Sequence, residues 1–193
     1  MSSTDDTAPT EKAGQPPGRA ELRRFLAAAV LNAVCEEPEL LEDDAHEIAM
    51  MFRIGWCLVP MIECDGSDLR VDCEYNRMTD AGGVRVPKRA PDADNKHSGG
   101  NDDPHRTRRK LIRPDLIVHR RGNNDLNLLV VEARKKNGLG DGLPGMLNRL
   151  RGFRSETGLR YQHAVAVVLA ETPLWQWVDE DEELVPVGSD SNG

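Results

Sequence analysis

The chain has 193 residues, 38% hydrophobic and only 4% aromatic, with 33 acidic and 25 basic residues and a net charge of −8. That length suits one domain with ordinary tails. The aromatic share places the core on Leu, Val, Ile, Ala and Met, and the net charge argues against a generally basic nucleic-acid coat. Cys35, Cys57, Cys64 and Cys73 include no Cys-x-x-Cys pair, which argues against zinc and redox motifs. They read as reduced thiols, so a cytoplasmic location is expected. The N-terminus has no apolar h-region and no apolar run reaches membrane-spanning length, so neither signal peptide nor membrane contact is expected.

In chain order, residues 1–19 are polar, with Pro9, Pro16 and Pro17, and read as a disordered tail. Leu22, Phe25, Leu26, Ala29, Val30 and Ala33 recur at helical spacing and predict an amphipathic helix from Ala20 to Val34. A second helix is expected from about Asp43 to Val59, capped by Asp43 or Asp44. Its apolar side carries Ile48, Met51, Phe52, Gly55 and Leu58. Glu47 shares a stripe with Met51 and Ile54. It flanks that stripe in solvent, reaches a site, or pairs with Arg53. Leu69–Asn76 alternates apolar and polar residues and predicts a half-buried strand.

Residues 78–110, rich in Gly, Pro, Asp and Lys, read as a long loop without periodicity, either disordered or functional. Two strands near 115–120 and 127–134 follow. A helix near Pro144–Arg154 carries Met146, Leu147, Leu150 and Phe153, and His163–Leu169 is a buried strand. Leu174–Val178 reads as an edge strand or covering turn, with Trp175 and Trp177 as packing residues. The acidic stretch 179–193 reads as a tail, leaving one domain over 20–178. This order predicts an α/β sandwich around a small sheet.

The strands near 115–120 and 127–134 form the most informative segment. The turn at Gly122–Asp125 centres between Asn123 and Asn124, and so does the pair Asp115 and Glu132. In simple register these carboxylates face each other, with Cβ atoms about 4.5–5.5 Å apart. Two carboxylates that close repel unless a cation or proton joins them, which is the geometry of a divalent-metal site. Arg134 lies two residues on, on the same face. The alternative is an ion-pair network of the two carboxylates with Arg113 and Arg134. Both faces of the hairpin are apolar, so its strands are central and covered on two sides. One face was expected to carry Ile117 and His119 against Leu128 and Val130. From Arg106 to Lys136 there are ten basic and three acidic residues, so that segment carries +7. It reads as a local basic patch able to meet phosphates, or as a solvated charged surface.

Pro114-Asp115, sixteen intervening residues and Glu132-Ala133-Arg134 resemble the signature of the PD-(D/E)XK nuclease superfamily, the restriction-endonuclease-like fold. The flanking words His46-Glu47 through Arg53, Glu74-Tyr75-Asn76-Arg77 and Pro114 through Gly122 resemble those of small bacterial members. The likeness covers roughly residues 43–171. It implies an α-β-β-β-α-β core with a central mixed sheet flanked by helices. It also implies Mg²⁺ or Mn²⁺ on Asp115 and Glu132 with the Ala133 carbonyl, and Glu47 as a helix carboxylate completing the site. Arg134 stands where the family has lysine. Arginine stays charged and cannot act as a base, but it clamps phosphate bidentately, so water activation falls to the metal.

The activity so implied is phosphodiester hydrolysis of nucleic acid, DNA before RNA. Asp115, Glu132, Arg134 and Glu47 would be catalytic. Arg113, Arg120, Arg121, Arg108, Arg109, Lys110 and Lys135 would track the backbone. The rival reading is a weakened module of the same fold that binds nucleic acid or a protein partner, including a homodimer or a defence or toxin partner. In that case the first helix would be a docking face.

Overall fold

The computed structural model describes residues 15–42, 47–64, 67–75, 77–79, 84–87, 89–91, 109–111, 113–122, 124–140, 142–155, 159–178 and 183–189; for 78–79, 85–87, 89–91 and 109–111 it describes the backbone alone. Three helices lead: α1 (Arg19–Glu36), α2 (Glu39–Glu42) and α3 (Glu47–Ile62). Strands β1 (Leu69–Cys73), β2 (Arg77–Thr79), β3 (Arg85–Pro87), β4 (Arg89–Pro91), β5 (Arg109–Leu111), β6 (Leu116–Arg120) and β7 (Asn127–Lys135) follow. The chain continues with α4 (Lys136–Leu139), α5 (Gly142–Arg154), β8 (His163–Leu169), β9 (Leu174–Trp177) and β10 (Val185–Pro186). Among the described residues no helix is long and apolar enough to cross a membrane.

The fold is α/β, built on a six-stranded open mixed sheet in the order β1-β6-β7-β8-β9-β10. Only β7 and β8 run parallel, joined by the crossover through α5; every other neighbouring pair is antiparallel. Helices cover both faces, which is why β6, β7 and β8 read as nearly continuous apolar runs. On one face α1 and α3 pack over Leu116, Val118, Leu129, Val131, Val165 and Val167. On the other, α5 lays Met146, Leu147, Leu150 and Phe153 against Ile117, Val130, Ala164 and Ala166. Strand β8 alternates accordingly, with Val beneath two helices and the smaller Ala beneath α5.

The α1 stripe is as the sequence predicts, with Leu22, Leu26, Ala29, Val30 and Ala33 buried. The α3 stripe is not. Met50, Met51, Ile54, Gly55, Leu58 and Ile62 face the core, whereas Ile48 and Phe52 are exposed. Only Glu47 and Arg53 are charged in this helix, so its sequence marks no polar side. Its outer face carries Phe52 stacked on Trp56, ring centroids 6.5 Å apart, with Trp56 69% exposed. Gly55 lets α3 approach the sheet closely: a Cβ there would lie 3.1 Å from Cys73 Sγ and 3.4 Å from Leu116 Cδ1.

Three further expectations are corrected. The stretch 78–110 holds short strands, β2 paired with β3, and β4 paired with β5 across the longer connection. Within the region read as an acidic tail, Val185–Pro186 adds β10 to β9, so β9 is not the edge. The proline sits where an edge strand tolerates a missing N–H. Finally, β7 carries an extra residue at Leu128: Val118 pairs with Leu129, but His119 pairs with Asn127. Such a bulge resets the alternation, so Leu128 joins Leu129 under α1 and α3 instead of facing α5. Trp175 and Trp177 are packing residues, 2% and 0% exposed, with Arg23 over both rings.

Candidate active site

The bulge lies at the turn end of the hairpin, and beyond it the ladder runs in the register that the simple count from the turn predicts. Leu116 pairs with Val131 and Ile117 with Val130. The same count carried one step further sets Asp115 opposite Glu132. Alternation places both on the α5 side of the sheet, with Ile117 and Val130. Strand β6 begins at Leu116, so the edge of β7 outruns it. Asp115 closes that edge with its side chain: the Ala133 N–H donates to Asp115 Oδ2 at 2.8 Å. On its other side the Asp115 carbonyl accepts the Glu74 N–H at 3.2 Å, extending the β1–β6 ladder. Glu74 has φ 49°, a left-handed conformation uncommon for a residue with a side chain. Asp115 is therefore fixed by backbone contacts from both neighbouring strands.

Glu132 is 5% exposed inside an apolar strand. Its Oε2 accepts a hydrogen bond from Arg149 Nη2 of α5 at 3.1 Å. Burial, with the charge of Asp115 beside it, pushes the Glu132 carboxyl up to about 7 against the pull of Arg149 and Arg134. Burial also raises Asp115 above the usual carboxylate range; the Ala133 N–H and the charges of Arg134 and Arg149 oppose that rise, and Glu47 adds to it. A buried acid and a half-buried one, both with raised carboxyl pKa values and close enough for one charge to act on the other, are a common mark of a functional site. Arg134 turns back along its own strand. Its Nη1 donates to the Ala133 carbonyl at 2.9 Å and lies 3.9 Å from Asp115 Oδ2.

Glu47 starts α3 and acts on Asp115 through its charge. Its Oε1 is 4.0 Å from where a Cβ on Gly138 would lie. A carboxylate in the first turn of a helix also offsets the helix dipole. Arg53 pairs with Glu37 at 2.8 Å. Among the described residues no group of three or more His, Cys, Asp and Glu side chains is arranged to hold a metal ion. The donor set nevertheless suits a hard cation. Two carboxylates and the Ala133 carbonyl are three oxygen donors, and Mg²⁺ characteristically takes one or two protein carboxylates and fills the rest of its sphere with water and phosphate oxygens.

The basic residues expected to track a backbone are dispersed. Arg113 is exposed just before Pro114, and Lys135 closes β7. Arg120 pairs with Asp68 at 3.3 Å. Arg121 grips Asp72, with Nε donating to Oδ2 at 2.8 Å and Nη2 to Oδ1. These last two lie at and just past the far end of β6, roughly 16 and 20 Å from Asp115 at about 3.3 Å per residue. Arg109 and Lys110 belong to β5, and Arg108 lies outside the described residues.

Two features were missed in the sequence. Arg149 sits on the flank of the α5 stripe, where nothing in the pattern marks it as a partner of Glu132. The second is a polar knot of Asp72, His119, Arg121 and Tyr75. Buried His119 meets Asp72 Oδ2 through Nε2 at 2.9 Å, and its ring lies 5.0 Å from that of Tyr75. Burial would raise Asp72, but hydrogen bonds from Arg121 and His119 hold it well below the usual carboxylate range. The alternation of Asp72 in β1 and the buried His119 hint at this pairing only once the strands are aligned. Comparison with protein-family models, curated proteins and solved structures finds no match to this chain.

Proposed function

We propose that the chain is a divalent-metal-dependent nuclease-like protein of the restriction-endonuclease-like type, hydrolysing phosphodiester bonds of nucleic acid, DNA before RNA. What carries this reading is the position of Asp115 one step past the Leu116–Val131 pair, with its carboxylate held by the Ala133 N–H next to Glu132 and its charge felt by Glu132. The order α3, β1, β6, β7, α5, β8 supports it as the α-β-β-β-α-β succession expected of that fold.

In this reading Asp115, Glu132 and the Ala133 carbonyl hold Mg²⁺ or Mn²⁺. The bound ion would supply Lewis acidity toward a phosphate oxygen and lower the pKa of water. Arg134, always charged, steadies the negative charge that builds on phosphorus and takes no proton. Glu47 adds negative charge beside Asp115 and so favours a cation there. Exposed Arg113 stands one residue before Pro114 and is placed to meet the phosphate chain.

Purified protein with linear DNA and Mg²⁺ or Mn²⁺ is expected to degrade it. Asp115→Ala and Glu132→Gln are each expected to lower the rate at least ~100-fold, the order seen when one transition-state contact is removed. Equal rates in wild type and Asp115→Ala would place the activity elsewhere.

A second reading is favoured by the guanidinium contacts. Arg134 and Arg149 occupy oxygens that a metal would use, as in a module that keeps the fold and binds nucleic acid without cutting. Retention of DNA unchanged by EDTA, with no cleavage, would select it.

A further inference from the structure

We propose that Arg134 and Arg149 are the resident counter-cations of the Asp115–Glu132 pair. They sit on the oxygens that a divalent ion would take, so binding of such an ion would require them to leave those oxygens, free to meet a phosphate. The inference rests on the metal-site reading above and adds a role for both arginines, one of which the sequence did not mark.

The contacts carry it. Arg134 Nη1 donates to the Ala133 carbonyl at 2.9 Å and stands 3.9 Å from Asp115 Oδ2. Arg149 Nη2 donates to Glu132 Oε2 at 3.1 Å. Each oxygen donor of the expected coordination set is therefore beside a guanidinium. Two guanidinium groups stand against the carboxylates of Asp115 and Glu132, and Glu47 adds a further negative charge near Asp115. A divalent ion on the same oxygens would meet two positive groups a few ångströms away, and the repulsion in a partly buried setting is large. The arginines must then move, and they can. Their side chains are 39% and 36% exposed, against 6% for Glu132, so their heads reach solvent while the carboxylate stays put.

A displaced guanidinium next to a divalent ion needs an anion, and the bidentate fork of arginine fits phosphate. By linkage, a phosphate that draws the arginines off must tighten metal binding by the factor with which metal tightens phosphate binding. Arg149 is thus a positioning residue that sets when the carboxylates are open to a cation.

The test is Mn²⁺ binding, read by calorimetry and by the free-ion electron paramagnetic resonance signal at pH 8, with no nucleic acid present. Wild type is compared with Arg134→Met and Arg149→Met, and Asp115→Asn serves as the control that loses the site. Each methionine variant keeps side-chain bulk without charge and is expected to bind Mn²⁺ about tenfold more tightly than wild type. Arg151→Met, which removes an exposed charge on the same helix as Arg149, is the control for general charge loss and is expected to leave Mn²⁺ binding nearly unchanged. Unchanged or weaker binding in a variant, with Mn²⁺ still held by wild type, overturns the role of that arginine and leaves the metal site standing. If neither wild type nor either methionine variant binds Mn²⁺, the metal-dependent function falls as well. The two arginines lie on different elements, so misfolding of one variant leaves the other to decide.

Discussion

At the scale of single residues, Glu132 concentrates the most strain. An ordinary Glu titrates near ~4.3 when unfolded, whereas burial and Asp115 push it up to about 7 in the folded chain. Between these values the folded protein holds a proton that the unfolded chain has released. Stability therefore falls as pH rises through this window, and the full cost stands above it. The cost is roughly 3–4 kcal/mol, taking about 1.4 kcal/mol per unit. Thermal unfolding in EDTA is expected to show a melting temperature roughly 5–10 °C higher at pH 5 than at pH 8. Glu132→Gln should remove most of that slope; identical slopes in both proteins would show that the burden lies elsewhere. Asp72 has the opposite sign. Its folded value is depressed, so its contribution is present above ~3.9 and is lost only in stronger acid. It adds no slope between pH 5 and pH 8.

At the scale of elements, legibility followed the contrast between polar and apolar positions. Helix α1 sets Arg19, Glu21, Arg23 and Arg24 around Leu22 and Leu26, and from there the helical spacing of Ala29, Val30 and Ala33 carries its buried stripe. Helix α3 offers little contrast, so only packing reveals that Phe52 and Trp56 face outward. The hairpin register at its open end, Leu116 with Val131, equals the simple count, but through the bulge: the turn-proximal pair His119–Asn127 is one residue out of that count. The bulge at Leu128 was not legible, since it answers to burial of Asn127, whose side chain donates to the Leu159 carbonyl at 2.6 Å. Arg149 was invisible because its partner lies seventeen residues away on another element. Gly55 gives a test of how α3 meets the sheet. Gly55→Val forces branched carbons toward Cys73 and Leu116 and should cost ~1–3 kcal/mol, read as a lower urea midpoint. Gly55→Ala sets a ~1 kcal/mol gain in helix propensity against a 3.1 Å contact, and should therefore lie closer to wild type. An unchanged midpoint in the valine variant would mean that the helix can lift off the sheet at little cost.

At the scale of the molecule, the sheet is closed on both faces, and chemistry is left to its ends. One end gathers Asp115, Glu132, Arg134 and Arg149. The other holds Asp72, His119 and Arg121 in a knot that fastens β1 to β6. The acidic chain thus keeps opposite charges matched at both ends of β6. The outward face of α3 has an optical consequence. Of the three tryptophans, Trp175 and Trp177 are sealed in the core and Trp56 stands 69% in water. Intrinsic fluorescence should therefore divide into a blue-shifted component shielded from acrylamide and a red-shifted one that acrylamide extinguishes. Trp56→Phe should delete the second and leave the first; a spectrum quenched uniformly would contradict this. Trp56 lies nine residues along the helix that Glu47 begins, about 13 Å at the helical rise. The protein thus carries its own lamp on the helix that Glu47 begins, and a shift of its red component reports any change on the outward side of α3 without a dye attached.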